Sequence, residues 1–107
     1  MMIRRGSQAD IQHFALCDVQ SHHDLFLLIH DAKVVAFVVM DGNIIDFIYS
    51  TVKGGGKRLI EFLKSRFPTL IASHCLDEAV GFYRHLGFTL YQDRVGLPDY
   101  ILRGESS

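Results

Sequence analysis

The middle of the chain alternates between short apolar runs and polar turns, a pattern typical of consecutive β-strands. Val34–Met40 is apolar at nearly every position and rich in β-branched residues, which predicts a central strand buried on both faces. Leu25–His30 precedes it and Asn43–Tyr49 follows it, with turns at Asp31–Lys33 and at Asp41-Gly42. Because Asp-Gly between two apolar runs favours a tight hairpin, these segments are predicted to form an antiparallel meander.

Before this meander, the apolar positions repeat with a helical period. Met2–Arg4 is predicted to be a short strand, and Ser7 with Asp10 three residues later predicts the capped start of a helix. The apolar side of that helix is expected to contain Ile11, Phe14, Ala15 and Val19. The polar segment Ser21–Asp24 then predicts a loop before the next strand.

A second helix is predicted directly after the meander, where it follows a glycine-rich loop. One side of this helix carries the positions that face the core, namely Gly56, Leu59, Ile60, Leu63 and Phe67. Pro68 ends the helix, because the residue before a proline is restricted to extended conformations. Leu70–Ser73 is then predicted to be a strand.

The last third of the chain predicts one more helix and two strands. Asp77 is predicted as the helix N-cap, and Gly87 as the left-handed residue that follows the C-terminus. Between them, apolar residues recur at helical spacing, at Ala79, Phe82, Tyr83 and Leu86. Thr89–Gln92 and Tyr100–Leu102 are predicted strands, joined by a loop that contains Gly96, Pro98 and Asp99.

The predicted order of elements is therefore β-α-β-β-β-α-β-α-β-β. Strands in a row favour antiparallel pairing, and the strand-helix-strand step in the middle favours one parallel crossover. The predicted fold is an α/β fold with a predominantly antiparallel mixed sheet and helices on both of its faces. Residues 1–103 are predicted to form a single domain, and residues 104–107 a C-terminal tail.

Length and charge narrow the function classes without selecting one. The 107 residues, 49% of them hydrophobic, suffice for one domain with a core. A formal net charge of -1 disfavours binding to nucleic acids, which needs many cations to neutralise phosphates. Cys17 and Cys75 are too few for a disulfide framework and form no metal-ligand pair. With no secretory leader and no apolar run long enough for a membrane, we expect a cytoplasmic protein.

The most informative local feature is Gly54-Gly55-Gly56, which lies between a strand and a helix. The first amides of a helix are unpaired and lie at the positive end of its dipole, so a phosphate suits that place. Lys53, Lys57 and Arg58 add positive charge. The loop is neither a Walker loop nor a Rossmann fingerprint. The glycines alone support a flexible turn and a phosphate cradle about equally.

Three side chains are candidates for proton transfer. The helical spacing of Tyr83 by itself favours a packed core residue over a catalytic one. Asp46 alternates with apolar neighbours on its strand, which fits a general base and a solvent-facing residue equally well. His74 has a suitable reference pKa of about 6.5, but a lone histidine is more often structural. His22-His23-Asp24 lacks a distant third ligand for a metal, although these residues also suit the border of a substrate pocket.

The glycine loop and the last helix together resemble the GNAT family of acetyl-CoA-dependent N-acetyltransferases. The family's loop has the form Q/R-x-x-G-x-G/A, and Thr51–Gly56 matches it except at its first residue. The family's following segment ends in A-x-x-F-Y-x-x-x-G-F, which this chain matches at Ala79, Phe82, Tyr83, Gly87 and Phe88. The predicted order of elements agrees with the family fold over essentially the whole chain. Because the segment before Leu25 is short, the chain resembles a minimal member.

The resemblance implies binding of acetyl-CoA. It assigns the pyrophosphate to backbone amides between Lys53 and Arg58, and the pantetheine arm and thioester carbonyl to the main chain of Phe47–Ser50. The cofactor-binding residues that it implies are Phe47, Ile48, Tyr49, Thr51, Lys53, Gly54, Gly55, Gly56, Lys57 and Arg58. Tyr83 occupies the position of the family's general acid, and Asp46 is the candidate for the base.

The expected function is therefore transfer of an acetyl group from acetyl-CoA to a primary amine of a small molecule or peptide. The weakness of the base candidates favours a less basic acceptor such as an α-amine. The departure at Thr51 and the short segment before Leu25 support an alternative, a non-catalytic acyl-CoA-binding module with an eroded acceptor site. Neither nucleic acid nor membrane is an expected partner. Edge strands near the C-terminus allow a homodimer.

Overall fold

The computed structural model of the protein describes residues 1–92 and 97–103, in which seven strands form one sheet. The strands are β1 (Met2–Arg5), β2 (Asp24–His30), β3 (Lys33–Asp41), β4 (Ile44–Ser50), β5 (Thr69–Ala72), β6 (Thr89–Gln92) and β7 (Asp99–Arg103). The helices are α1 (Gln8–Ile11), continued by a 3-10 turn over Gln12–Phe14, α2 (Gly55–Arg66) and α3 (Asp77–His85). Gly96 and the predicted tail 104–107 lie outside the described residues.

The strands lie in the order β1-β2-β3-β4-β5-β7-β6. All neighbouring pairs in the described chain are antiparallel except β4 and β5, which are parallel and connected through α2. The predicted meander over β2, β3 and β4 and the single parallel crossover are therefore confirmed.

Alternation along the central strands divides the core between the two faces of the sheet. On one face, Phe26 and Val38 pack with Leu59 of α2 and Tyr83 of α3. On the other face, residues such as Phe37 pack with the segment around α1. We call these faces the α2 side and the α1 side, and together they confirm the predicted helices on both faces. No helix among the described residues is long and apolar enough to cross a membrane.

The first helix is much shorter than its apolar spacing predicts. It ends in the 3-10 turn at Phe14, and Ala15 has a left-handed backbone with a φ of 54°. The prediction that the helix continues through Ala15 and Val19 is therefore wrong. The Gln8 side chain explains the break, since it accepts a hydrogen bond from the N–H of Val19 and donates one to the carbonyl oxygen of Cys17.

The starts of two helices differ in how well they follow their predicted caps. At α1, the N–H of Ser7 donates to the carboxylate of Asp10 at 2.8 Å, as a capping box requires, and this bond lowers the pKa of Asp10. At α3, the N-cap is Leu76 and Asp77 is the first helical residue, so the prediction of Asp77 as N-cap is wrong. The Asp77 carboxylate still lies in the first turn, where the helix dipole favours negative charge.

The C-terminus of α3 is a Schellman motif, as its glycine predicts. Gly87 has a φ of +99°, and its N–H donates to the carbonyl oxygen of Arg84 at 3.0 Å. The N–H of Phe88 donates to the carbonyl oxygen of Tyr83, also at 3.0 Å. The rings of Tyr83 and Phe88 lie 5.0 Å apart and supply the hydrophobic contact of the motif. Part of the F-Y-x-x-x-G-F pattern is thus explained by the way this helix ends.

Two glycines of this region are expected to respond to alanine with opposite signs. Gly87→Ala places a Cβ on a left-handed residue, which is expected to destabilise the fold by about 1–2 kcal/mol. Gly81→Ala places a Cβ in open space inside α3, where alanine's higher helix propensity is expected to stabilise by about 0.5–1 kcal/mol. Urea unfolding of the two variants measures both effects. Equal free energies of unfolding would contradict the assignment of the motif.

Candidate active site

β4 carries a β-bulge at Asp46. Phe47 pairs with Val39 of β3, and Ile45 pairs with the adjacent Met40, so Asp46 has no partner of its own on β3. On its other edge, β4 pairs with β5 only through its first two residues. Beyond that point the two strands part within the described chain. We call the opening beside residues 46–50 the β4–β5 wedge, where an extended ligand has access to strand main chain.

The end of β4 also lines a cleft of about 660 Å³, a volume typical of small-molecule sites. The cleft lies between β4, the glycine loop and α3. Its lining consists of Ile48, Tyr49, Ser50, Val52, Lys53, Gly54, Gly56, Lys57, Glu78, Ala79, Phe82, Tyr83, His85 and Leu86. The wedge and the glycine loop are therefore parts of one continuous site.

At each of the three consecutive positions 54, 55 and 56, a different physical reason favours glycine. Gly54 is the N-cap of α2 and has a φ of +82°, with open space where a Cβ would lie. A Cβ on Gly55 would overlap the hydroxyl oxygen of Ser50. A Cβ on Gly56 would lie 2.9 Å from the ring of Phe82. Close packing therefore requires glycine at positions 55 and 56, whereas the left-handed backbone favours glycine at position 54.

The start of α2 offers unpaired donors and positive charge to the cleft. The N–H of Gly55 donates to the carbonyl oxygen of Val52 and that of Arg58 to Gly54, whereas the amides of Gly56 and Lys57 have no acceptor in the described chain. The lysines at 53 and 57 line the cleft, and the described residues give neither one an ion-pair partner. This combination suits an anionic group such as a phosphate.

Tyr83 is held tightly but its hydroxyl remains available. The residue is 5% exposed and packs between Phe82 and Phe88. Its hydroxyl has no hydrogen-bond partner in the described chain, and none of the side-chain oxygens buried there is left unsatisfied, so the hydroxyl reaches the surface of the cleft. Burial, with a smaller contribution from Cys75, raises the pKa of Tyr83 well above its usual value. The phenol of Tyr83 therefore carries its proton at neutral pH, and the same burial makes it a weaker acid than an exposed tyrosine.

Asp46 is bound by a histidine that lies 23 positions earlier in the chain. Nε2 of His23 lies 2.7 Å from Oδ2 of Asp46. The N–H of Gln20 donates to Nδ1 of His23 at 2.9 Å, so the neutral ring has its proton on Nε2 and donates it to Asp46. The rings of His22 and His23 are 4.1 Å apart, and His22 itself lies 3.9 Å from Asp41. Asp46 thus belongs to an ordered pair at the bulge.

Ser73 and His74 lie on the opposite side of the wedge. The N–H of Ser73 donates to the carbonyl oxygen of Ile45, which is the last hydrogen bond between this segment and β4 in the described chain. The Ser73 hydroxyl contacts Nδ1 of His74 at 2.6 Å. His74 has a φ of 53°, and its N–H donates to the Asp99 carboxylate at 2.9 Å. Polar groups therefore border the wedge on both strands.

The structure brings together most of the predicted cofactor-binding residues. Those in the lining of the cleft are Ile48, Tyr49, Lys53, Gly54, Gly56 and Lys57, together with Tyr83. Gly55 is buried behind the loop, and Arg58 instead lines a neighbouring cavity of about 730 Å³ on the other side of Gly54 and Lys57. The Thr51 hydroxyl donates to the carbonyl oxygen of Val35, and Phe47 packs against Phe37 on the α1 side.

Sequence reasoning did not identify Glu78 and His85, whose side chains bring charge and a titratable ring to the cleft. Their spacing could have indicated that they face the same cleft as Phe82, since positions 78, 82 and 85 lie on one side of a helix. His23 is predicted to lie in a loop that also suits the border of a substrate pocket, but nothing in its local sequence connects it with Asp46.

No protein-family model matches the sequence, and no curated protein matches it. Solved structures do resemble it in fold. The N-acetyltransferase PseH of Campylobacter jejuni matches with a TM-score of 0.71 at 15% identity, over 97% of this chain and 98% of that chain. YjaB of Escherichia coli, in its apo form, matches with a TM-score of 0.66 at 19% identity, over 97% and 98% of the two chains.

Two more structures extend this result. PseH in complex with acetyl coenzyme A matches with a TM-score of 0.66 at 14% identity, over 97% of this chain and 100% of that chain. A putative GNAT-family acetyltransferase from Bacteroides thetaiotaomicron matches with a TM-score of 0.62 at 15% identity, over 100% and 89%. The chain therefore has the acyl-CoA N-acyltransferase fold of the GNAT family, which confirms the predicted resemblance and fold class.

Proposed function

We propose that the protein is an acetyl-CoA-dependent N-acetyltransferase that acetylates a primary amine of a small molecule or peptide. The observation that carries this proposal is the composition of the cleft, which combines unpaired loop amides, an open strand edge and the hydroxyl of Tyr83. The fold supports it, since structures of the same fold are N-acetyltransferases and one contains acetyl coenzyme A.

The residues at the start of α2 fit a pyrophosphate. The unpaired amides of Gly56 and Lys57 are donors at the positive end of a 12-residue helix. Lys53 and Lys57 supply charge, and the absence of a Cβ at Gly56 lets the start of α2 pack closely against the ring of Phe82. Beyond Ile45, the main-chain N–H and C=O groups on this edge of β4 do not pair with β5. These groups are suited to form hydrogen bonds with the amides of a pantetheine arm.

Tyr83 is the proposed acid of the transfer step. The amine nitrogen forms a bond to the acetyl carbon, and the bond from that carbon to the CoA sulfur breaks. An ammonium acceptor loses two protons in becoming an amide, one before attack and one after it. The leaving sulfur gains one, so the reaction releases one proton overall. Tyr83 protonates the sulfur and regains its proton from the attacking nitrogen.

Acetyl-CoA is expected to stabilise the protein, by about 2.7 kcal/mol at 100 times its Kd. Thermal or urea unfolding with and without acetyl-CoA measures this effect, and a thiol reagent measures CoA release with a panel of primary amines. Lys57→Ala is expected to weaken the stabilisation. Lys64→Ala is the matched control, because Lys64 lies on the same helix in its last turn.

The outcomes separate the enzyme from the alternative. Stabilisation together with amine-dependent CoA release supports the proposal. Stabilisation without release against a broad amine panel indicates a binding module instead. Absence of stabilisation contradicts both functions.

A further inference from the structure

The His23–Asp46 pair is a short polar contact between two chain segments beside the wedge. Its ring-to-carboxylate distance is 2.7 Å, and the His23 side chain is 11% exposed while that of Asp46 is 36% exposed. Gln20 fixes the ring from behind through its backbone N–H. In the described chain no other side chain donates to Asp46, so its second carboxylate oxygen has no protein partner.

From this geometry we infer that His23 is a positioning residue that holds Asp46 as the proton acceptor for the incoming amine. The inference rests on the proposed function.

The bulge explains why Asp46 suits this role. An extra residue in β4 leaves Asp46 unpaired on β3 at the point where β4 and β5 part. A carboxylate at that point lies beside the exposed main chain of the wedge, where the thioester is proposed to bind. His23 occupies Oδ2 and leaves Oδ1 to the substrate.

In this step, Asp46 takes one proton from the acceptor ammonium and becomes a carboxylic acid. The neutral amine then attacks the thioester carbon. Asp46 later returns its proton to water, so the carboxylate is regenerated and the overall proton balance given above is unchanged. His23 keeps its Nε2 proton throughout and acts only through Asp46.

The test compares His23→Ala with His30→Ala, a matched control because His30 is also a histidine next to an aspartate, Asp31, but is half-exposed and lies at the other end of β2 from the segment that carries His23. With an alkylamine acceptor, His23→Ala is expected to lower kcat on the order of tenfold without changing the KM of acetyl-CoA. His23→Gln, which retains a donor for Asp46, is expected to recover part of the loss. Asp46→Asn is expected to lose at least as much as His23→Ala, whereas His30→Ala is expected to match the wild type.

Two further readouts distinguish positioning from a structural role. With a weakly basic aromatic amine, which is neutral at pH 7, the penalties of His23→Ala and Asp46→Asn are expected to disappear. Nitrogen-15 NMR of the wild type is expected to show the His23 proton on Nε2. An equal penalty for both amines, or a proton on Nδ1, would overturn the inference. An active wild type with fully active Asp46→Asn overturns it too, whereas a wild type without turnover instead contradicts the proposed function.

Discussion

Replacing Tyr83 by phenylalanine is expected to lower the rate of CoA release about 100-fold, the lower range for loss of a positioned proton donor. The hydroxyl of Tyr83 reaches the cleft, has no hydrogen-bond partner among the described residues, and carries the proton that the leaving sulfur needs. Without it, the sulfur must leave as a thiolate or take its proton from water. The measurement is steady-state CoA release with a saturating amine.

The substitution is conservative for the fold. Phenylalanine keeps the ring that packs against Phe88 and leaves both hydrogen bonds of the Schellman motif intact, since these are main-chain bonds. Acetyl-CoA is therefore expected to stabilise the variant as well as the wild type.

Tyr49→Phe is the matched control for this prediction. Tyr49 also lines the cleft, but its ring packs against Phe14 and Phe37 on the α1 side. It is expected to retain most of its activity. Full activity of Tyr83→Phe would remove Tyr83 from the mechanism and leave it a core residue that happens to border the cleft.

The sequence predicts those parts of the fold that depend on local patterns. The apolar runs of β2 to β4, the hairpin at Asp41-Gly42 and the glycine end of α3 are local features, and the structure contains each of them. The first helix shows where prediction from local patterns fails. Its apolar positions keep a helical spacing as far as Val19, but the Gln8 side chain forms hydrogen bonds with the main chain of residues 17 and 19 and stabilises a non-helical path.

In the candidate site, too, some features follow from local sequence patterns and others depend on distant parts of the chain. The loop Gly54-Gly55-Gly56 and the position of Tyr83 are encoded in contiguous motifs, and both reach the cleft. Asp46 is different, because its surroundings depend on the bulge in β4 and on His23. The register of a strand pair and the position of a distant histidine follow from the packing of the whole sheet, so the spacing of residues around Asp46 does not encode them.

Gly55→Ala is expected to produce the largest loss of stability at the site, about 2 kcal/mol, as is usual for overpacking a buried position. The new Cβ would overlap the Ser50 hydroxyl and lie 3.2 Å from Cβ of Ala36 on β3. Ser50 cannot move without cost, because its hydroxyl donates to the carbonyl oxygen of Val52 at 2.6 Å. That same carbonyl accepts from the N–H of Gly55, so the loop and the helix start are expected to shift together.

A double-mutant cycle tests this origin directly. Ser50→Ala removes the overlapping oxygen but also two hydrogen bonds, one donated to the carbonyl oxygen of Val52 and one accepted from its N–H, and alone it is expected to destabilise by about 1 kcal/mol. Combined with Gly55→Ala, it is expected to recover about 1 kcal/mol relative to the sum of the single effects. Urea unfolding measures the free energy of unfolding of the wild type, both single variants and the double variant, and the m-value is expected to stay unchanged. Gly81→Ala is the control for the effect of a glycine-to-alanine change on helix propensity. Additive effects would place the cost of Gly55→Ala elsewhere, because an overlap between the new Cβ and the Ser50 hydroxyl would make the two effects non-additive.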